Sequence, residues 1–105
     1  MILWLRSFLF GRRLVLATMP YADYLHTWEW RRRRAAALRR AGWRCQICNR
    51  AGAPGVPLDV HHRTYERRGH EAAGDLIVLC RRCHGLYHDL LVAGGPDGAH
   101  PKRLG

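Results

Sequence analysis

Four cysteines stand in two Cys-x-x-Cys pairs, Cys45/Cys48 and Cys80/Cys83, and a tandem histidine, His61-His62, lies between them. The second pair runs directly into His84, with His88 four residues further on. A Cys-x-x-Cys turn offers two thiolates to one tetrahedral ion, and two such turns complete the sulfur set of a structural zinc site. The imidazoles are surplus to that need. Disulfides or a redox dithiol would use the same cysteines differently. A redox motif needs only one pair, however, and pairs this tight clasp an ion better than they join distant segments. Cysteine used in this way agrees with an intracellular protein, and a cytoplasmic location is expected.

Surplus histidines can divide two tasks. A divalent cation held by some imidazoles neutralises the charge that develops on a phosphorane and a departing 3′ oxygen, while a free imidazole takes the proton from the attacking water. His61 and His62 end an alternating stretch, Leu58-Asp59-Val60-His61, so their side chains diverge, and one can hold a cation while its neighbour stays free. His84 and His88 share one helix face. His26, His70 and His100 have no such spacing and read as surface or satisfied core residues.

The elements that must position these groups are legible in outline. Thr27 is a capping residue, Glu29 falls in a first turn, and Trp28 to Ala41 reads as one helix closed by Arg39, Arg40 and Gly42. Trp28, Trp30 and Trp43 read as core anchors. Leu58 and Val60 predict a short strand, Leu76-Ile77-Val78-Leu79 a second, and Leu86, Leu90 and Leu91 a helix after Cys83. Ala51 to Gly55 is a Gly/Pro turn, and Arg63 to Gly74 has no apolar period and reads as irregular.

The chain of 105 residues is one small domain whose core is marginal without metal. Lys+Arg 18 against Asp+Glu 8 gives a formal charge of +10 and a pI near 10.7, which points to a polyanionic partner, nucleic acid first. Lys102 is the only lysine. Guanidinium forks suit phosphate, although a G+C-rich coding bias would produce the same excess. Arg31 to Arg34 are consecutive and point all round a helix, so phosphate contact and plain solvation share them. Residues 1–20 read as a leader or upstream extension without fixed structure, with Met19 as an alternative start. Arg6, Arg12 and Arg13 interrupt its apolar run before the roughly 18 residues a membrane span needs, and no membrane partner is expected. Their placement inside and after that run does not fit a secretory signal. Residues 21–93 form the expected domain, and 94–105 a disordered tail.

Three stretches carry a family resemblance: Trp43-Arg44-Cys45-Gln46-Ile47-Cys48, Leu58-Asp59-Val60-His61-His62, and Gly74 through His84 with His88. Together they resemble the zinc-stapled HNH endonucleases, including small phage and bacterial members, and Tyr21 to Arg40 is similar to that family's lead-in. The resemblance implies an α+β, treble-clef-like ββα-metal fold with a preceding helix, stapled by a zinc ion on the four cysteines. It implies metal-dependent hydrolysis of DNA phosphodiester bonds to 5′-phosphate and 3′-hydroxyl ends. His62 then takes the general-base place, His61 the first ligand place, and His84 and His88 the helix-borne ligand places. Asp75 falls where the family usually has Asn. There it either braces the loop, merely turns the chain after Gly74, or adds an oxygen ligand that favours Mg²⁺ or Mn²⁺ over Ni²⁺ or Zn²⁺. Arg31, Arg34, Arg63, Arg67 and Arg81, with Arg68 and Arg82, are expected to hold the DNA backbone. A phage packaging or other recognition partner, and any oligomeric state, stay open. The alternative is a non-catalytic zinc module that binds nucleic acid or a protein, with degenerate imidazoles.

Overall fold

A computed structural model describes the backbone of residues 11–92 and the side chains of residues 11–89. The expectations for residues 1–10 and for the 94–105 tail lie outside the described residues. Thr27 caps the principal helix as its sequence predicts. Its Oγ1 accepts from the Trp30 N–H at 3.2 Å, with Glu29 in the first turn and Arg39 and Arg40 in the last, each on the side the helix dipole favours. Beyond the C-cap Ala41, Gly42 and Trp43 take φ values of 64° and 59°. Glycine adopts that conformation freely. Trp43 is held in it by hydrogen bonds from its N–H to Leu38 O and from Gly52 N–H to its own carbonyl.

In chain order the elements are α1 (11–18), α2 (Tyr21–Tyr24), α3 (Trp28–Arg40), β1 (Leu58–His62), a 3₁₀ turn (Ala73–Asp75), β2 (Leu76–Cys80) and α4 (Arg81–Val92). β1 and β2 pair antiparallel, Leu58 opposite Cys80 and His62 opposite Leu76. β2 is buried at every position because α3 covers one face of the sheet and α4 the other, which is why it reads as an unbroken apolar run. On β1 the pleat turns Val60 and His62 toward α3, and Asp59 and His61 toward α4. The helix after the second knuckle begins earlier than its apolar residues suggest, directly at Arg81.

Two expectations are corrected. Of the three tryptophans expected as core anchors, Trp30 alone is one; Trp28 and Trp43 are 56% and 54% exposed. Two residues along a helix turn the side chain by about 200°, so Trp28 and Trp30 cannot face the same core. Trp28 instead carries the Arg32 guanidinium 4.8 Å above its ring. The second correction concerns the leader, for residues 11–18 are helical and docked. Leu16 is buried in the core cluster with Tyr24, Trp30 and Leu38. Arg12 forms a two-bond pair with Glu29 at 2.6 and 2.9 Å. Arg68 donates to the carbonyls of Leu16 and Ala17 at 3.0 and 2.7 Å, closing the end of α1. Gly69, at φ 96°, lets the backbone approach so closely that an added Cβ would stand 2.8 Å from Leu16 Cβ. These partners lie far along the chain and leave no local signal.

Among the described residues no helix is long and apolar enough to cross a membrane. Leu16→Ala should cost about 3 kcal/mol of unfolding free energy by leaving a cavity in the core, and deletion of residues 1–18 should cost more. Urea denaturation of the zinc-loaded proteins measures both, and unchanged midpoints would show that α1 does not stabilise the fold.

Candidate active site

The first knuckle follows α3 and is tied to the sheet by Gln46, whose N–H donates to Val78 O and whose Oε1 accepts from Val78 N–H, each at 2.8 Å. The second knuckle is the junction of β2 and α4. All four Sγ atoms lie within 4.8 Å of one another, Cys48 and Cys80 at 3.8 Å, and none is in a disulfide. Zinc–sulfur bonds of about 2.3 Å in a tetrahedron place sulfurs about 3.8 Å apart, so the cage fits that ion. Backbone N–H groups already point at the sulfurs, from Ile47 and Cys48 to Cys45 at 3.4 and 3.5 Å, and from Cys83 to Cys80 at 3.5 Å. Burial raises the Cys45 thiol, but these donors outweigh it and lower the thiol to about 6. Cys80 is lowered too, first by the Cys83 N–H. Cys83 is pushed up to about 12, by burial and then by its sulfur neighbours. Four thiolates together therefore need a cation among them. Among the described residues, this is the one place where three or more Cys, His, Asp or Glu ligand atoms converge so closely.

On the α4 side of the sheet, His61 Nδ1 and His84 Nε2 face each other at 3.3 Å. Asp59 Oδ2 accepts from His84 Nδ1 at 3.0 Å and also holds Arg81, whose Nε and Nη2 lie 3.1 and 3.2 Å from its two oxygens. Burial raises the Asp59 carboxyl, but Arg81 and His84 outweigh it and keep it below the usual carboxylate range. An ionised Asp59 fixes the proton of His84 on Nδ1 and leaves the Nε2 lone pair turned to His61, a pairing common behind metal-binding imidazoles. Burial first, then His84, His62 and His88, lower His61 to about 4, so its ring is neutral near pH 7. Its Nε2 is buried and without a partner. Zinc–nitrogen bonds of about 2.05 Å at a tetrahedral angle separate two nitrogens by about 3.4 Å, so the pair suits one cation. His88 lies one turn further along α4, its Nδ1 buried and unpartnered, and it does not close a three-ligand cluster with the pair. Asp59 is the residue that sequence reasoning missed. The alternation that separates His61 from His62 also puts Asp59 on the face of His61, and that was the available signal.

His62 occupies the opposite face. Its ring is 1% exposed and stacked between Trp30 and Tyr65, with centroids at 4.7 and 5.1 Å. Nε2 lies 2.7 Å from Glu71 Oε2, and Nδ1 lies 3.1 Å from Tyr21 Oη. The free imidazole expected from the sequence is thus engaged at both nitrogens, because segment 63–75 folds back over the strand end and brings Glu71 with it. Glu71 is itself buried and accepts from Tyr24 Oη at 2.9 and 2.7 Å, while Arg33 holds its backbone carbonyl at 3.1 Å. Burial raises the Glu71 carboxyl, but the bonds with His62 and Tyr24 win and lower it. Glu71, Tyr21 and Tyr24 gave no sequence signal beyond their types.

Asp75 is buried away from the histidine pair. It accepts Arg67 Nε at 2.7 Å with a second Arg67 bond alongside, and Ala72 N–H at 2.9 Å, while its own carbonyl takes Arg63 N–H at 2.7 Å. Asp75 thus links Arg67, Ala72 and Arg63 across segment 63–75, and Arg67 is engaged with it. Arg34 and Arg81, with Tyr21, Trp30, Asp59 and His84, line a cleft of about 420 Å³ along the free edge of β1. Arg31 bonds to His26 O at 3.1 Å, Arg63 is exposed outside that cleft, and Arg68 serves α1. His26 is exposed, and His70 is half-buried with Nδ1 unpartnered.

A two-stranded sheet that passes through a cysteine cage into a helix, with imidazoles facing one another from strand and helix, is a small α+β metal-binding domain of ββα type. Residues 45–90 match the model of the HNH endonuclease family. No curated protein and no solved structure matches the chain.

Removing zinc with a strong chelator should abolish the folded state, read by circular dichroism, and zinc should restore it; a zinc-free protein that stays folded would contradict the role of the cage. His61 gives a second expectation. It titrates near 4 in the fold and near 6.5 when exposed, so between those values the unfolded chain binds the extra proton. Stability is full above the upper value and declines as the pH falls toward the lower one. The melting temperature should drop from about pH 7.5 to about pH 5, and His61→Gln should flatten that drop.

Proposed function

We propose that this chain is a metal-dependent endonuclease that hydrolyses DNA phosphodiester bonds, with His61 and His84 holding the catalytic cation. The observation that carries this reading is the pair of imidazole nitrogens 3.3 Å apart, beside a cleft flanked by Arg34 and Arg81. A bound divalent cation there supplies charge neutralisation at the scissile phosphate. Asp59 keeps the His84 lone pair directed at that place. Arg34 and Arg81 draw the phosphate backbone into the cleft, and the formal charge of +10 concentrates DNA around the domain. His62, oriented by Glu71, is the imidazole outside the pair and takes the part of proton acceptor. With Asp75 committed to Arg67, the oxygen-ligand argument for Mg²⁺ or Mn²⁺ loses its carboxylate. Two imidazole donors suit Ni²⁺ or Zn²⁺ at least as well.

A second reading, a non-catalytic zinc module that binds nucleic acid or a protein, draws on the sealed position of His62. Nicking of supercoiled DNA across Mg²⁺, Mn²⁺, Ni²⁺ and Zn²⁺ separates the two. Cleavage should occur with at least one added cation, and His61→Ala or His84→Ala should lower its rate roughly 10²-fold or more while zinc in the cage is retained. Folded, zinc-loaded protein that leaves DNA intact with every cation supports the module instead. Arg34→Ala should weaken DNA binding at all sequences and reduce the log–log salt slope by about 1.

A further inference from the structure

His62 is sealed from solvent, and one polar side chain joins it to the cleft. Tyr21 lines the cleft beside Arg34, Asp59 and His84, and its Oη stands 3.1 Å from His62 Nδ1. On the far side of the ring, Nε2 stands 2.7 Å from Glu71 Oε2. The direction of these bonds follows from Glu71. An ionised carboxylate can only accept, and Tyr24 already donates to both of its oxygens. Nε2 is therefore the ring nitrogen that donates, and in the singly protonated ring that can serve as a base Nδ1 presents a lone pair to which the Tyr21 hydroxyl donates. Trp30 and Tyr65, stacked on the two sides of the ring, prevent it from turning. Hydroxyl, imidazole and carboxylate thus stand in series at hydrogen-bonding distances, the arrangement that activates hydroxyl groups elsewhere.

We propose that Tyr21 is a catalytic residue that relays the proton of the attacking water from the cleft to His62. As water in the cleft attacks phosphorus, its proton passes to Tyr21 Oη while the tyrosine's own hydroxyl proton passes to His62 Nδ1. Tyr21 is neutral before and after. His62 becomes an imidazolium facing Glu71, the electron pair of the water O–H bond becomes the new P–O bond, and the 3′ oxygen departs with the electrons of the old one. After product leaves, the proton returns to solvent by the same route. Burial, and then the charge and hydrogen bond of Tyr65 beside it, raise the Tyr21 hydroxyl well above its ordinary pKa, which keeps it protonated and able to donate. This role rests on the endonuclease reading above.

The test compares the full zinc-loaded chain with Tyr21→Phe, which keeps the ring and removes the relay oxygen. Single-turnover nicking of supercoiled plasmid should fall about 100-fold or more in the variant, with affinity for the same DNA in the absence of added cation unchanged. Nicking by the variant at the parent rate overturns the relay. Faster nicking also overturns it and makes the hydroxyl a cover on Nδ1. A readout independent of activity is the ¹⁵N spectrum of the His62 ring in the unmutated protein. A proton on Nε2 with Nδ1 bare supports the relay, and a proton on Nδ1 overturns it whether or not the variant folds. An unmutated protein that nicks nothing removes the endonuclease reading and the relay with it; equal activity of protein and variant removes the relay alone.

Discussion

Successive residues of a β-strand point to opposite faces, and on β1 that pleat splits a histidine pair into two chemical environments separated only by backbone. His61 turns toward α4, where it meets the imidazole of His84, itself oriented by the Asp59 carboxylate. His62 turns toward α3, into a buried network of Glu71, Tyr21 and Tyr24. A slip of one residue in the pairing with β2 would exchange these faces and destroy both arrangements. The register is therefore pinned at both ends of the sheet. Cys80, opposite Leu58, belongs to the sulfur cage, and the far end leads into a segment closed by Asp75 and Arg67.

The cage does more than hold two knuckles together. It joins the turn after α3 to the junction of β2 and α4, so a single ion held there would fix the relation of three elements. The buried groups here are few, and several are polar: His61, His62, Glu71 and Asp75. Each polar burial is stabilising only while its partner is in place. α1 adds to this framework through Leu16 and through the Arg68 bonds to its last carbonyls, so its position is linked to that of segment 63–75.

What the sequence made legible was local chemistry. Cys-x-x-Cys spacing is imposed by a tetrahedral ion, the Thr27 cap and its helix by backbone donors that need partners, and the two strands by alternation and a short apolar run. The divergence of His61 and His62 was readable for the same reason. What stayed hidden depends on contacts between distant residues. Glu71 sits in a polar stretch with no period, and nothing there announces that its carboxylate closes on His62. The resemblance drew attention to Asp75, but its engagement with Arg67 is a property of how the segment folds. The docking of α1 was obscured because arginines that interrupt an apolar run look like a leader until Glu29 is seen beside Arg12.

The four sulfurs are not equivalent toward solvent. Cys45, Cys80 and Cys83 are buried, whereas Cys48 is exposed. A zinc ion held in the cage would be met by chelators, oxidants and competing thiophilic ions from the Cys48 side. In an oxidising or metal-poor medium that outward-facing sulfur would be the first of the four to be challenged.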